Sequence, residues 1–346
     1  MPPFFSICIP AYNRSEFLPF LLDSIIRQDF DDIEVLIIED CSPQRSIIKD
    51  IASQYAAKLP LRYHENVENL GYDGNLRELI KQASGRYCFF MGNDDIICDN
   101  AFIESARLLK KHKDIGVLLR AYGWFVDDPL RPQQVIRYFD TERFFPVGED
   151  TVVVFFRRVG VLSGLIVGRD DALKWDTEKF DGTLYYQMYL VANLLLDKHG
   201  IFTPKLMTMS RDTEPPDFGN SNVENVFTPG QYTPKARLHM VSSMLSIAEY
   251  VQRKRNVDIL PRISKDIGNY IYPYIRDQLN LPLGEYIRLY LGANKLGLWR
   301  YPFFHVHFIS AYLIGKERYD RIIQFIRDKW GRTPNLSGLS NGEDLS

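Results

Sequence analysis

Short apolar runs alternate with helix-spaced apolar positions along the front of the chain, and each run ends on a polar cluster. Residues 5–9 form the first run, broken by Pro10-Ala11-Tyr12-Asn13-Arg14. Phe17, Leu21, Leu22, Ile25 and Ile26 follow at helical spacing, which predicts a strand, a turn and a helix over about 16–28 capped by Ser15. The unit repeats: an apolar strand over 33–38 ends in Glu39-Asp40-Cys41-Ser42 before a helix over about 45–57. A third strand near 61–64 leads to a helix over about 75–83 that Gly85 ends, and a fourth strand covers 87–91. Beyond it the pattern predicts a helix over 101–111, strands over 116–120, 161–169 and 207–212, and a short helix over 170–174. Strands alternating with helices and buried on both faces imply an α/β fold with a mostly parallel sheet and helices on both sides. Ligands in such sheets bind beyond the carboxyl ends of the strands, where these polar clusters fall.

After Pro234 the pattern turns helical, over about 235–254, 261–279, 283–295 and 303–331 with a break near Gly315. This divides the chain into a catalytic domain over 1–234, a helical region over 235–332 and a disordered tail over 333–346. Charge follows the same division. Residues 1–234 carry 25 Lys and Arg against 34 Asp and Glu, a net of −9, while 235–332 carry 17 against 8, a net of +9. Cys8, Cys41, Cys88 and Cys98 show no paired spacing and read as reduced thiols of a cytosolic protein, and the six histidines show no zinc spacing. With no basic-then-apolar leader and no long apolar run, the sequence is expected to be neither exported nor membrane-spanning.

The chemistry concentrates at Gly92-Asn93-Asp94-Asp95, where an apolar strand stops on two adjacent carboxylates. Like charges at a strand end repel, and a hard divalent cation with a phosphate ligand turns that repulsion into a coordination site. No G-x-G-x-x-G follows the first strand, which disfavours a dinucleotide-dependent enzyme, and the basic residues form no recognised nucleic-acid module.

Four motifs in register, Ser6 to Arg14, Val35 to Ser42, Asn69-Leu70-Gly71 and Gly85 to Asp95, resemble the family 2 glycosyltransferases of GT-A fold over about the first hundred residues. The run Asn69-Leu70-Gly71-Tyr72-Asp73-Gly74-Asn75 with Gly92-Asn93-Asp94-Asp95 resembles the abequosyltransferase-like O-antigen subgroup. The resemblance implies a nucleotide-sugar donor, CDP-, UDP- or dTDP-linked, and Mn²⁺ or Mg²⁺. It places Pro10, Ala11 and Tyr12 along the nucleotide pocket with Arg14 and Asn69, and Asp40 against the base. Asn93 and Asp94 fall near the ribose or sugar, Asp95 ligates the metal, and Arg211 clasps the diphosphate. The family's usual Asp-x-Asp reads Asn93-Asp94-Asp95 here, and the Glu-Asp pair that supplies the general base is missing. Asp181, at a helix entrance, is the candidate in its place. The Pro-, Asn- and Gly-rich stretch over 213–233 is expected to form a lid.

Residues 298–309 set Trp299, Tyr301, Phe303, Phe304 and Phe308 beside Arg300, which suits a lipid headgroup zone; an aromatic core or homodimer interface is the other reading. The expected function is therefore a metal-dependent transferase of lipopolysaccharide or related biosynthesis. It is expected to be peripheral at the inner face of the cytoplasmic membrane and to act on a lipid-linked oligosaccharide. The rival is a GT-A-fold protein that binds glycan or nucleotide without catalysis.

Overall fold

The structure, a computed structural model, describes residues 2–212 and 231–345. Most of the stretch expected as a lid, 213–230, lies outside the described residues. Three strand-helix units open the chain: β1 (Phe5–Ala11), α1 (Leu18–Ile26), β2 (Ile33–Glu39), α2 (Arg45–Tyr55), β3 (Leu61–Glu65), α3 (Gly71–Gln82) and then β4 (Tyr87–Phe90). There follow β5 (Ile96–Ile97), α4 (Ala101–Lys111), β6 (Ile115–Phe125), β7 (Gln134–Ile136), β8 (Arg143–Phe145), α5 (Glu149–Phe156), β9 (Ile166–Gly168), α6 (Arg169–Leu173), α7 (Tyr186–Leu195) and β10 (His199–Arg211). The remainder is α8 (Pro234–Arg255), α9 (Leu260–Asn269), α10 (Tyr272–Ile275), α11 (Leu283–Lys295), α12 (Pro302–Ile314), α13 (Lys316–Trp330) and β11 (Glu343–Asp344).

Among the described residues the main path of the sheet runs β11-β8-β10-β6-β9-β4-β1-β2-β3. The β4-β1-β2-β3 half is parallel throughout, as the sequence predicts. The other half is mixed, because β9 lies antiparallel between β4 and β6 while β6 and β10 run parallel. All seven residues of β2 are buried, which explains why its sequence is nearly continuous apolar rather than alternating. Side chains of one face, Ile7, Ile9, Val35 and Ile37, pack with α1, α2 and α4. The other face, with Cys8, Leu36, Ile38 and Phe90, packs on α3 and joins the larger core.

That larger core does not stop at residue 234. Phe155, Leu190 and Leu194 share it with Met244, Ile247, Ile263, Ile267 and Phe304, so the C-terminal helices complete the fold rather than stand beside it. Ion pairs cross the same boundary, Arg157 and Arg158 to Asp266 at 2.9 and 3.3 Å and Arg255 to Asp197 at 2.5 Å. Of the back half's basic residues, Arg255 and Arg262 are thus matched to acids of the front, Asp197 and Asp150.

Three local expectations are corrected. Helix α3 begins at Gly71, not near 75, because the Asn69 carboxamide accepts the Gly71 N–H at 2.8 Å and closes the turn early. Ser15 does not cap α1, which starts at Leu18 with Pro19 in its first turn. The tail is not disordered over its described length: Leu336 bonds the Tyr270 hydroxyl, Leu339 is buried, and β11 pairs with β8.

Candidate active site

The carboxyl ends of β1, β2, β4 and β10 open onto a single cavity of about 550 Å³. Its lining includes Pro10, Ala11, Tyr12, Arg14, Asp40, Asn69, Asn93, Asp94, Asp95 and Arg211. The structure therefore brings together every residue expected around a nucleotide and metal, and leaves out Asp181, the expected base.

The loops after β1 and β2 leave their strands by left-handed residues. Asn13 and Arg14 sit at φ 53° and 56°, and Cys41 at φ 58°, conformations costly for side chains other than glycine. Each is held by its neighbours. The Asn93 amide donates to the Asn13 carbonyl at 2.8 Å, and Arg14 forms an ion pair with Asp94. The Glu39 carboxylate accepts the Cys41 and Ser42 N–H groups at 3.0 and 2.7 Å and pairs with Arg45, so the first acid of Glu39-Asp40 shapes the turn. The second faces the cavity. Asp40 accepts from the Asn66 amide at 2.8 Å and the Leu70 N–H at 2.9 Å, yet burial still pushes its carboxyl above the ordinary value.

Asp95 is the most constrained acid of the site. Ser163 and Ser210 donate hydroxyls to one oxygen, and the Arg211 N–H donates to the other at 2.8 Å. Burial first and the Asp94 charge second lift its carboxyl to about 7 despite those donors. Beneath it, Arg120 is fully buried and donates to the Val161 and Ser163 carbonyls, fixing the loop that carries Ser163. Glycine at 164 is required by Arg120: at φ 84°, an added Cβ would lie 2.7 Å from the guanidinium Nε. Arg211 lies over the rings of Phe17 and Phe125, at 4.2 and 4.5 Å, and donates to the Asp94 carbonyl. It braces the acidic loop while facing the cavity.

The donor set fits a hard divalent cation. A Cβ at Gly92 would approach Asp94 Oδ1 to 3.1 Å, Asp95 Oδ2 to 3.2 Å and Ser163 Oγ to 3.3 Å, so both carboxylates converge over a space that only glycine leaves open. Among the described residues no third His, Cys, Asp or Glu joins them. An ion held by Asp94 and Asp95 would take its other ligands from phosphate and water, the usual arrangement for Mg²⁺.

Asp181 is engaged elsewhere. Its two oxygens accept Nε and Nη2 of Arg77 at 3.1 and 2.7 Å, and Asp176 shares the same guanidinium. Arg77 is buried midway along α3 and needs those acids, which holds Asp181 outside the cavity lining. Gln187 is buried within α7 and does not reach the lining. The entrance of α7 is held by Asp73, whose carboxylate accepts the Leu184 and Tyr186 N–H groups at 2.8 and 2.9 Å. Burial lifts Asp73 to about 7 as well.

Sequence reasoning did not anticipate the far wall. Tyr232, just before α8, and Arg237, Met240, Pro273, Arg276, Asp277 and Lys316 line the cavity from the C-terminal region. Arg237 grips Asp277 through Nε and Nη2 at 3.0–3.2 Å and lies 3.5 Å over the Tyr232 ring. Asp212, at the end of β10, stands between the two walls, and its own backbone N–H bonds the Phe125 carbonyl at 2.7 Å. No periodicity marks such residues, since they meet only in the folded chain.

Comparison with known proteins agrees with this geometry. Residues 6–162 match the family model described as Glycosyl transferase family 2. The chain is 30% identical over 122 residues to the poly(ribitol-phosphate) beta-N-acetylglucosaminyltransferase TarS of Staphylococcus aureus, covering 34% of this chain and 21% of the relative. It is 29% identical over 205 residues to the abequosyltransferase RfbV of Salmonella typhimurium, covering 55% of this chain and 60% of the relative. The chain thus spans less than two thirds of the length of these curated relatives. Among solved structures, S. aureus TarS 1-349 in complex with UDP-GlcNAc superposes with a TM-score of 0.60 at 19% identity, over 83% of this chain and 79% of that one. The mannosyltransferase PcManGT from Pyrobaculum calidifontis, in complex with GDP-Man and Mn²⁺, gives 0.52 at 15% identity, over 96% and 88%. Residues 6–162 thus carry a glycosyltransferase family 2 domain by sequence match, and the chain shares the GT-A-like architecture of these structures.

Proposed function

We propose that the protein transfers a sugar from a CDP-, UDP- or dTDP-linked donor to a hydroxyl of a lipid-linked glycan, in assembling a bacterial surface polysaccharide of O-antigen type. One observation carries the reading: Asp40, Asp94, Asp95, Arg14 and Arg211, from four strand ends, converge on one cavity. Asp40 and Tyr12 would receive the base, and Asn69 and Asn93 would frame the ribose. Arg211 and Arg14, the latter released from Asp94, would face the diphosphate. Mn²⁺ or Mg²⁺ bound by Asp94 and Asp95 would supply positive charge to the departing diphosphate. The acceptor oxygen attacks the anomeric carbon in line, the bond to phosphate breaks, and the nucleoside diphosphate leaves with the electron pair. The hydroxyl proton goes to a cavity carboxylate, and Asp212 suits that task because it is exposed at the junction of donor corner and far wall. Among the described residues no helix is long and apolar enough to cross a membrane, and the reading takes the protein to work peripherally, at the inner face of the cytoplasmic membrane.

A thermal-shift panel of nucleotide sugars with Mn²⁺ tests this. One pyrimidine-linked donor is expected to raise the melting temperature of the wild type, by mass action on the folded state, and to do so far less for Asp95→Ala. A panel in which no nucleotide sugar stabilises the wild type contradicts the reading.

A further inference from the structure

Helix α12 carries no charged residue over its thirteen positions, yet only one of its faces is covered. Phe304, His307, Phe308 and Ala311 are buried against the rest of the fold, with Phe304 and Phe308 against Tyr286 and Tyr290 of α11. On the opposite face Val306, Ile309 and Leu313 are 48%, 56% and 78% exposed, a spacing that places them in one stripe. A helix apolar all round is ordinarily buried on all sides. The exposure continues beyond it: Leu283, Ile287 and Leu291 form a similar stripe on α11, and Trp299, in the segment between the two helices, is 54% exposed. On α13, Ile322 and Phe325 are exposed beside Arg318, Arg321 and Lys329.

We infer that this face, centred on Val306, Ile309 and Leu313, docks the protein on an anionic lipid bilayer. Charge selects the occupant. Residues 283–330 carry eight Lys or Arg against four Asp or Glu, a net of +4, and exposed Arg288, Lys295, Arg300, Arg318 and Arg321 border the apolar stripes. Apolar side chains entering the acyl boundary, with tryptophan and basic residues at headgroup depth, is the arrangement of an interfacial helix. Two such faces, each rimmed by exposed basic residues, would instead repel at their rims if brought together as a dimer. The position relative to the cavity agrees. The stripe ends at Leu313 and Ile314, and two residues on, Lys316 lines the cavity. Docking through α12 sets the cavity mouth at headgroup level, where a lipid-linked acceptor is presented. That last consequence rests on the function proposed above; the docking itself does not.

The test therefore uses neither donor nor turnover. Full-length protein is sedimented with vesicles of phosphatidylglycerol and phosphatidylcholine, or of phosphatidylcholine alone. The wild type is expected to partition onto the anionic vesicles at low salt and to be released at high salt. The double variant Ile309→Glu, Leu313→Glu is expected to lose at least about tenfold in partitioning, given the cost of burying two carboxylates. Leu130→Glu, on an exposed loop elsewhere, is expected to bind as the wild type does. Quenching of wild-type tryptophan fluorescence by lipids brominated on the acyl chain gives a readout free of any folding defect in the variant. Absence of binding and quenching in the wild type overturns the inference. So does a double variant that binds vesicles normally while light scattering shows it has turned a dimer into a monomer.

Discussion

The donor corner and the far wall meet across one cavity but are built in opposite ways. In the corner, the polar residues sit at or a few positions past the ends of buried strands: Asp40 directly after β2, Arg14 on the turn after β1, and Asp94 and Asp95 on the turn after β4. The parallel sheet fixes where those turns begin, and contacts between the turns and β10 hold the side chains. In the far wall, Tyr232 just before α8, Arg237 of α8 and Asp277 just after α10 are fixed by each other, through an ion pair and a guanidinium lying over a ring. On the function proposed above, the corner would take the nucleoside diphosphate and the wall, made of side-chain contacts, would take the acceptor.

The largest effect that separates these regions is expected at their junction. Asp212→Asn should lower turnover by about 10²-fold or more while donor-induced thermal stabilisation stays unchanged. Asp181→Asn should do the reverse, leaving turnover within about threefold and lowering stability by about 1–2 kcal/mol as buried Arg77 loses an acceptor pair. Steady-state kinetics with chemical denaturation measures both. Equal turnover losses in the two variants would erase the distinction between cavity wall and structural ion pair.

A smaller effect concerns the corner alone. Asp95 has a carboxyl lifted to about 7 in the fold, against about 4 in an unfolded chain. Between those pH values the folded form holds a proton that the unfolded form has released. Its contribution to stability is therefore full below about pH 4 and is lost as pH rises through about 7. Asp73, also lifted to about 7, acts with the same sign. Asp95→Asn should flatten part of this decline, so the ligand-free variant gains on the wild type from pH 5 to pH 8, by on the order of 2 kcal/mol. Denaturant unfolding at the two pH values checks it, and a gap that does not widen with pH contradicts the assignment.

The same contrast explains what the sequence disclosed. The four parallel strands were legible because burial on both faces leaves an apolar run ending at a fixed point, and the acids just past 39 and 94 mark those points. The strand at β9 was legible but its antiparallel direction was not, since three buried residues read alike in either direction. Asp181 looked like a base because it precedes a helix, but its partner Arg77 lies 104 positions away and nothing local reveals the pairing. Ser163 and Ser210, which hold Asp95, carry no pattern of their own. The tail appeared disordered by composition, yet a few backbone bonds to Tyr270 and β8 suffice to hold it. Charge asymmetry pointed to the back half as a separate surface. The fold divides that surface, turning Arg237, Arg276 and Lys316 into the cavity and leaving Arg300, Arg318 and Arg321 outside.

The central claim is that the Asp94–Asp95 corner holds the diphosphate of an activated sugar through a divalent ion. Anomalous diffraction from crystals soaked with Mn²⁺ and the nucleoside diphosphate picked out by the panel tests it directly. A single manganese peak beside the Asp94 and Asp95 carboxylates, bridged to phosphate, with the base beside Asp40 and Tyr12, is the predicted result. Nucleotide bound elsewhere, or bound here with Arg14 still paired to Asp94 and no manganese peak, would contradict it.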